Sequence, residues 1–358
     1  MRRRRGFITA FGTLTVGSLA GCLSTDSDTD TPDNDTDTTE TGAGTESEPS
    51  TIGRQWTFET AGPVISSPAL VDGTVYVGSD DKTVYAINAA NGTEQWAFQT
   101  NGTVASSPAV VDGTVYVGSF DESVYALDAG DGTEQWTFQT GNAVFSSPVV
   151  TDGTVFIGSN DGNVYALDAA DGTEQWAFQT GNSVISSPAV VDGTVYLGNG
   201  ALGDDGNVYA LDAGDGTERW TYQAGPAVLS SPAVADGTVF IGDNDGDVYA
   251  LDAADGTEQW TVQTDDSVRS LPAVADETVY VGSFDGNLYA LDAGDGTEQW
   301  AFQTGDPVES SPTVVDGTVY FGSLDDSVYA LDAGDGTEQW TFQTNGGGGS
   351  SPTLAEST

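Results

Sequence analysis

The sequence predicts an all-β fold, with four-stranded sheets repeated around a ring. Three observations carry that reading. A tryptophan recurs at Trp56, Trp96, Trp136, Trp176, Trp220, Trp260, Trp300 and Trp340, at intervals of 40 residues with a single interval of 44. A fixed period near 40 residues marks a repeat architecture. Each repeat divides into four short apolar runs separated by Asp/Gly turns, and no helical period runs through it. The two central runs, TVYVG at 114–118 and VYALD at 124–128, are apolar on both faces. A sheet with one wet face alternates instead, so each sheet must be covered on both sides by neighbouring copies of itself. Sheets stacked face to face around an axis form a β-propeller.

Met1–Gly21 reads as an export signal: Arg2–Arg5 form a charged region, and Phe7–Ala20 an apolar stretch too short to span a bilayer comfortably. Arg4-Arg5-Gly6-Phe7-Ile8 resembles the twin-arginine (Tat) export pattern. Leu19-Ala20-Gly21-Cys22 resembles a lipobox, with cleavage before Cys22 and lipid on its sulfur; the other reading makes Cys22 incidental to a signal cleavage site. It is the chain's only cysteine, so no disulfide is expected, and a core of many blades buries enough apolar surface without one. Residues 22–50 are nearly all Ser, Thr, Asp, Glu, Gly and Pro and cannot bury a core, which makes them a disordered, acidic tether. Asn34, Asn91 and Asn101 stand in N-glycosylation patterns.

The propeller is expected over 51–358. In the copy at 106–141 the strands are read as 107–111, 114–118, 123–128 and 133–140. Asp112-Gly113 suits a two-residue hairpin turn, because glycine takes positive φ at little cost. Trp136 and Phe138 lie two apart on one face of the fourth strand, where they would pack on the next blade as core. Seven complete units follow, from Ser66 to Thr344, with an extra fourth strand at Arg54–Thr60 and an extra first strand at Ser350–Ala355. Seven full blades are therefore expected, the two end strands sealing the last-to-first junction. The alternative is an eight-position ring whose eighth blade is built from the two ends alone.

The unit DGTVYVGS, VYALDA, DGTEQW resembles the pyrroloquinoline-quinone-type (PQQ-like) propeller repeat over nearly all of Gln55 to Pro352. That family includes quinoprotein alcohol dehydrogenases and the non-enzymatic propeller lipoprotein of the bacterial outer-membrane β-barrel assembly machinery. The resemblance therefore implies the fold and leaves the function open.

Eight Lys and Arg stand against 55 Asp and Glu, a net charge of −47. Removal of Met1–Gly21 takes away four arginines and no acid, lowering it to −51. This argues against nucleic acid or anionic headgroups as partners. Such a charge suits a protein held in about molar salt, where the screening length is about 3 Å. With the Tat-like signal it points to an extreme halophile, a haloarchaeon.

Compared with one another, the copies are nearly constant in the turns joining first to second and third to fourth strands. The variation lies on the opposite rim. The residue before each Ser-Ser-Pro or its counterpart runs Ile65, Ala105, Phe145, Ile185, Leu229, Arg269, Glu309, and the loops between second and third strands carry Lys82, Phe120, Phe284 and Leu324. Variable loops on a constant scaffold are the usual place for binding, so Phe145, Leu229, Arg269, Glu309, Lys82, Phe120 and Phe284 form the candidate binding rim. Unit four inserts four residues within Gly198–Gly206. Unit six departs most, with Arg269, Leu271 for Ser and Glu277 for Gly. Arg269 and Glu309 occupy equivalent places in adjacent units; they would form an ion pair, hold a polar ligand together, or be harmless repeat drift.

The chain has no His, and no free Cys once Cys22 carries lipid, which removes the commonest general base, His-based triads and Cys/His metal sites. Asp243, Asp245 and Asp247 alternate as calcium loops do, yet lack the following Gly and distal Glu of an EF-hand, and Asp and Gly are also ordinary turn residues. No cofactor is expected. The function expected is that of a monomeric, lipid-anchored, cell-surface binding or scaffold module on the outer face of the cytoplasmic membrane. Its partner would be an envelope or cell-surface protein or other macromolecule, and it would meet the membrane through the lipid alone. The alternatives are a quinone- or calcium-dependent surface dehydrogenase and a structural envelope component.

Overall fold

The structure, a computed structural model, describes residues 7–11, 54–201, 205–344 and 349–353. Arg4, Arg5, Cys22 and the 22–50 tether lie outside the described residues.

Seven four-stranded antiparallel sheets follow one another along the chain, each ordered first to fourth strand without crossover. In blade 2 the strands are Ala109–Val111, Thr114–Gly118, Ser123–Asp128 and Glu134–Gln139. Asp112 and Gly113 both take positive φ, 49° and 76°, the backbone of a type I′ turn, whose twist matches that of the strands it joins. The fourth strand is bulged: Leu127 faces Glu134 while Ala126 faces Trp136, so Gln135 is the extra residue. The equivalent register shift recurs in the other blades.

The core lies between blades. Tyr116, Val124, Ala126 and Trp136 of blade 2 pack on Val155, Ile157, Tyr165 and Leu167 of blade 3, with Val144 closing the inner side. Trp136 Nε1 donates to Ala169 O of blade 3 at 3.0 Å, and its ring lies flat on Gly172, where a Cβ would come within 2.6 Å. Phe138 meets Tyr165 edge-on at 5.2 Å. Thus the glycine of each DGT turn is required by the tryptophan of the blade before it. The expectation that the tryptophan forms interblade core holds.

The chain ends meet at the last-to-first junction. Strand β1 (Phe7–Phe11) pairs antiparallel with β2 (Arg54–Glu59). Trp56 Nε1 donates to Ala89 O at 2.7 Å and Phe58 meets Tyr85 at 5.3 Å, the contacts each fourth strand makes with the following blade. At the other end, the Ser311 amide donates to Ser351 Oγ at 2.8 Å and Thr353 Oγ1 donates to Pro68 O. The ring thus has seven four-stranded blades as expected. β2 and residues 350–353 seal the junction between blade 7 and blade 1.

Candidate functional site: the variable mouth

Ser-Ser-Pro builds the wall beneath the mouth. The first serine is buried and its Oγ accepts from the glycine amide ending the second strand, as in Gly118 to Ser106 at 3.0 Å. The second serine links blades: the amides of Ser67, Ser107, Ser147 and Ser187 donate to Oγ of Ser107, Ser147, Ser187 and Ser231 at 2.8–2.9 Å. Leu271 breaks this belt. It still donates its amide to Ser311 Oγ at 3.0 Å, but it offers no hydroxyl to Ser231, and its side chain is 39% exposed.

The loops between second and third strands are clamped to these lead-in segments. The Phe120 amide donates to Thr103 O at 2.9 Å, and the Val144 amide of the next blade donates to Ser119 O at 3.0 Å. Beneath most of these loops a tyrosine braces an aspartate, whereas Tyr209 of blade 4 donates to Thr180 O at 3.2 Å. Tyr125 Oη donates to Asp121 Oδ2 at 2.8 Å, and burial followed by that carboxylate pushes the phenol up to about 12.

Blade 5 rearranges the brace. Asp243 stands where most blades have serine, is fully buried, and accepts from Tyr249 Oη at 2.8 Å and from the amides of Asp245 and Asp247 at 2.9 and 3.0 Å. Its oxygens are thus engaged within the loop. Burial, then the neighbouring Asp243, holds the Asp247 carboxyl above its ordinary range. Among the described residues, no group of three or more His, Cys, Asp or Glu side chains is arranged to hold a metal ion. In blade 4 the insertion lengthens the outer hairpin, whose strands run Asp205–Asp212 and Glu218–Pro226, with Asp205 opposite Pro226.

On this frame the variable side chains gather in small groups. Phe120 of blade 2 packs on Phe145 of blade 3, ring centroids 4.0 Å apart. Arg269 donates from Nε and Nη2 to Asn244 Oδ1 at 3.1 and 2.8 Å, and its guanidinium lies 4.5 Å over the Phe284 ring. Of the alternatives for Arg269 and Glu309, the direct ion pair is not formed; the guanidinium is turned to Asn244 and Phe284. Burial among the mouth residues raises the Glu309 carboxyl, against a smaller downward pull from Arg269. Leu229 is half-buried on the same ring, whereas Ile65 is 48% exposed. Lys82 is held otherwise, its Nζ donating to Asn101 O of blade 2 at 3.0 Å. Asp80 Oδ1, Asp121 Oδ1 and Asn160 Oδ1 on these loops are buried with no hydrogen-bond partner among the described residues. Sequence comparison of the copies missed Asn244 and Asn160; their departure from the Phe or Leu of other units was the available signal.

These repeats, closed into this ring, define a PQQ-like β-propeller. The chain belongs to the family described as outer membrane protein assembly factor BamB, whose profile matches residues 46–149, 162–272 and 244–357. Among solved structures, it is similar to BamB from Moraxella catarrhalis, at 19% identity and a TM-score of 0.67, covering 78% of this chain and 86% of that one. It is also similar to a europium-containing methanol dehydrogenase, at 15% identity, a TM-score of 0.68 and 78% of each chain. The quinohemoprotein alcohol dehydrogenase from Comamonas testosteroni matches at 17% identity and a TM-score of 0.69, over 79% of this chain and 67% of that one. No curated protein matches the chain. At these identities the structural likeness carries the fold, which an assembly factor and dehydrogenases share.

Proposed function

We propose that the protein is a non-catalytic binding and scaffold module of the cell envelope, which engages an envelope protein through its variable mouth. One observation carries the reading. The two rims are built from the same seven repeats, yet one is nearly constant and the other varies from blade to blade, with Phe120–Phe145 and Arg269–Phe284 brought into contact there. Half-buried aromatic and arginine side chains at a mouth are the residue types that anchor protein interfaces. Membership of an assembly-factor family supports a protein as partner. In this reading Cys22 carries the lipid, residues 22–50 form the tether, and the export signal is Tat-type in a halophile.

The dehydrogenase reading rests on the shared fold. The mouth residues fit a quinone site poorly, since Arg269 is already committed to Asn244 and Asp243 to Tyr249. The deciding experiment is crosslinking in native membranes with wild type, Phe145→Ala and Arg269→Ala. A partner captured by wild type and lost from both variants supports the mouth. An unchanged capture pattern, or dye reduction on adding quinone and calcium, overturns it.

A further inference from the structure

The nearly constant rim, opposite the mouth, departs from its own pattern at the seam between blades 5 and 6. At four seams the alanine carbonyl that receives the tryptophan also receives a tyrosine hydroxyl. Tyr76 donates to Ala129 O, Tyr116 to Ala169 O, Tyr196 to Ala253 O and Tyr280 to Ala333 O, at 3.0–3.1 Å. Blades 3 and 5 carry Phe156 and Phe240 in that place. Ala213 O and Ala293 O therefore keep only the tryptophan donor among the described side chains. Each phenylalanine lines a cavity, of about 500 Å³ at the blade 3–blade 4 seam and about 390 Å³ at the blade 5–blade 6 seam. The second cavity is edged by Asp236, Glu277 and Asp292. Glu277 stands at φ of 62° where the six equivalent turns have glycine, an uncommon backbone for a residue with a side chain.

Blade 4 shows what this rim can hold. Arg219 replaces the glutamine of the other blades there, and its guanidinium donates to Thr194 Oγ1, to Gly193 O at 3.1 Å and to Asp212 Oδ2 at 2.7 Å. The counterparts in blade 6 are Thr278, Glu277 and Asp292, with Gln299 in place of Arg219. Gln299 Oε1 accepts from Thr278 Oγ1 at 3.2 Å, and Asp292 is bonded within its own turn through Oδ1. Asp292 lines the blade 5–blade 6 cavity, whereas Asp212, held by Arg219, does not line the one at the blade 3–blade 4 seam. The acceptors that hold a guanidinium in blade 4 thus stand in blade 6 without one.

We propose that the blade 5–blade 6 seam takes the guanidinium of an arginine side chain presented by a partner protein. The planar fork suits the carboxylates of Asp292 and Glu277 as it suits Asp212. The aliphatic stem suits Phe240 and Val274, which line the same cavity. Free arginine is disfavoured, since its own carboxylate meets the three acids. Glu277 supplies a charge that the glycine of the other blades lacks, which accounts for its place at a backbone angle glycine takes more cheaply. The site is separate from the mouth and gives the module a second contact.

The test uses the full chain in molar potassium chloride, with backbone amide shifts read by nuclear magnetic resonance. The probe is N-acetyl-arginine amide, with N-acetyl-citrulline amide as the uncharged isostere and free arginine as a further control. The expected result is saturable shifts at Glu277, Ala293 and Gly294 with the arginine amide, none with the citrulline amide and weaker binding of free arginine. Gln299→Arg, which seats its own guanidinium as Arg219 does, should abolish binding. Phe240→Tyr, which returns the hydroxyl found at four seams, should weaken binding roughly tenfold. Glu277→Gly should weaken it roughly threefold, the scale of one exposed charge pair. Each substitution introduces a residue that another blade carries in the same place, so the fold is kept. The proposal is overturned by absence of saturable binding, by equal shifts with the citrulline amide, or by tighter binding of free arginine. It also fails if the shifts fall on the mouth amides of Phe145 and Arg269 instead, or if Gln299→Arg leaves binding intact.

Discussion

Trp176 offers the sharpest test of how the ring is held. Its side chain is 8% exposed and packs with Phe156, Val164 and Val184 against Val195, Leu197, Tyr209 and Leu211 of blade 4. Nε1 donates to Ala213 O at 3.0 Å, and the ring lies on Gly216, leaving no slack for collapse. Truncation to alanine should therefore cost about 3–5 kcal/mol, near the top of that range because a flat glycine turn cannot refill the space. Trp176→Phe keeps most of the apolar contact and removes the N–H, so it should cost about 1–2 kcal/mol, leaving Ala213 O without its donor. Guanidinium melts followed by circular dichroism, at fixed molar potassium chloride, measure both. In a repeat array the loss is expressed locally, so amide exchange should rise first at the blade 3–blade 4 seam. A Trp176→Ala protein within about 1 kcal/mol of wild type would refute the interblade account, as would a phenylalanine variant as damaged as alanine.

Glu277 takes φ of 62° where the six equivalent turns have glycine, and the glycine sites show open space; Glu277→Gly should stabilise by up to about 1 kcal/mol in thermal melts. Leu271→Ser should restore the serine belt to Ser231 and raise stability by about 0.5–1.5 kcal/mol, measured the same way. Cys22→Ser should release the protein to the medium or leave the precursor unprocessed, as read on fractionated cells. Melting temperature should fall as salt drops from molar to about 10 mM, where the screening length grows from about 3 to 30 Å. At low salt it should also depend on pH with two signs. Burial holds the carboxyls of Asp80, Asp247 and Glu309 high, so the folded form binds extra protons and gains stability as pH falls through their raised values. Hydrogen bonds from Thr133 and Thr173 hold Asp131 and Asp171 low, a contribution present above their unfolded values and lost as pH falls through the folded ones. A melting temperature flat in salt would undo the halophile reading.

Much of the fold was legible because the sequence is almost periodic. The tryptophan interval, the Asp-Gly turns and the doubly apolar central strands each specify a local geometry, and they agree with one another. Strand limits within blade 2 came out within two residues. The bulge at Gln135 was not legible because it depends on how the third and fourth strands register, and the fit of Trp136 onto Gly172 because its partner lies about a repeat away. The Ser-Ser-Pro belt escaped for the same reason: a serine that bonds the amide 40 residues earlier leaves no mark within one unit. At the mouth, the copies showed which residues vary and could not show which of them touch. Arg269 was thus matched with Glu309 by position, whereas Asn244 and Phe284 hold it in space.

Periodicity also explains where the sequence could not speak. Seven near-identical units carry almost the same interblade contacts, so their average says how one blade meets the next and nothing about where the ring stops. Closure is settled where repetition fails: β2 makes a fourth strand's contacts with blade 1, and residues 350–353 bond to Ser311 of blade 7 and Pro68 of blade 1. The same reasoning locates function. A side chain shared by all seven blades is accounted for by packing, as Trp136 and Gly172 are. One that departs from its copies has no such account and costs stability where it strains the repeat, as Leu271 does in breaking the belt. The departures concentrate at the mouth, around Arg269 and Phe284. Packing alone gives no reason for those places to differ from the rest, which is why the proposed binding surface is put there.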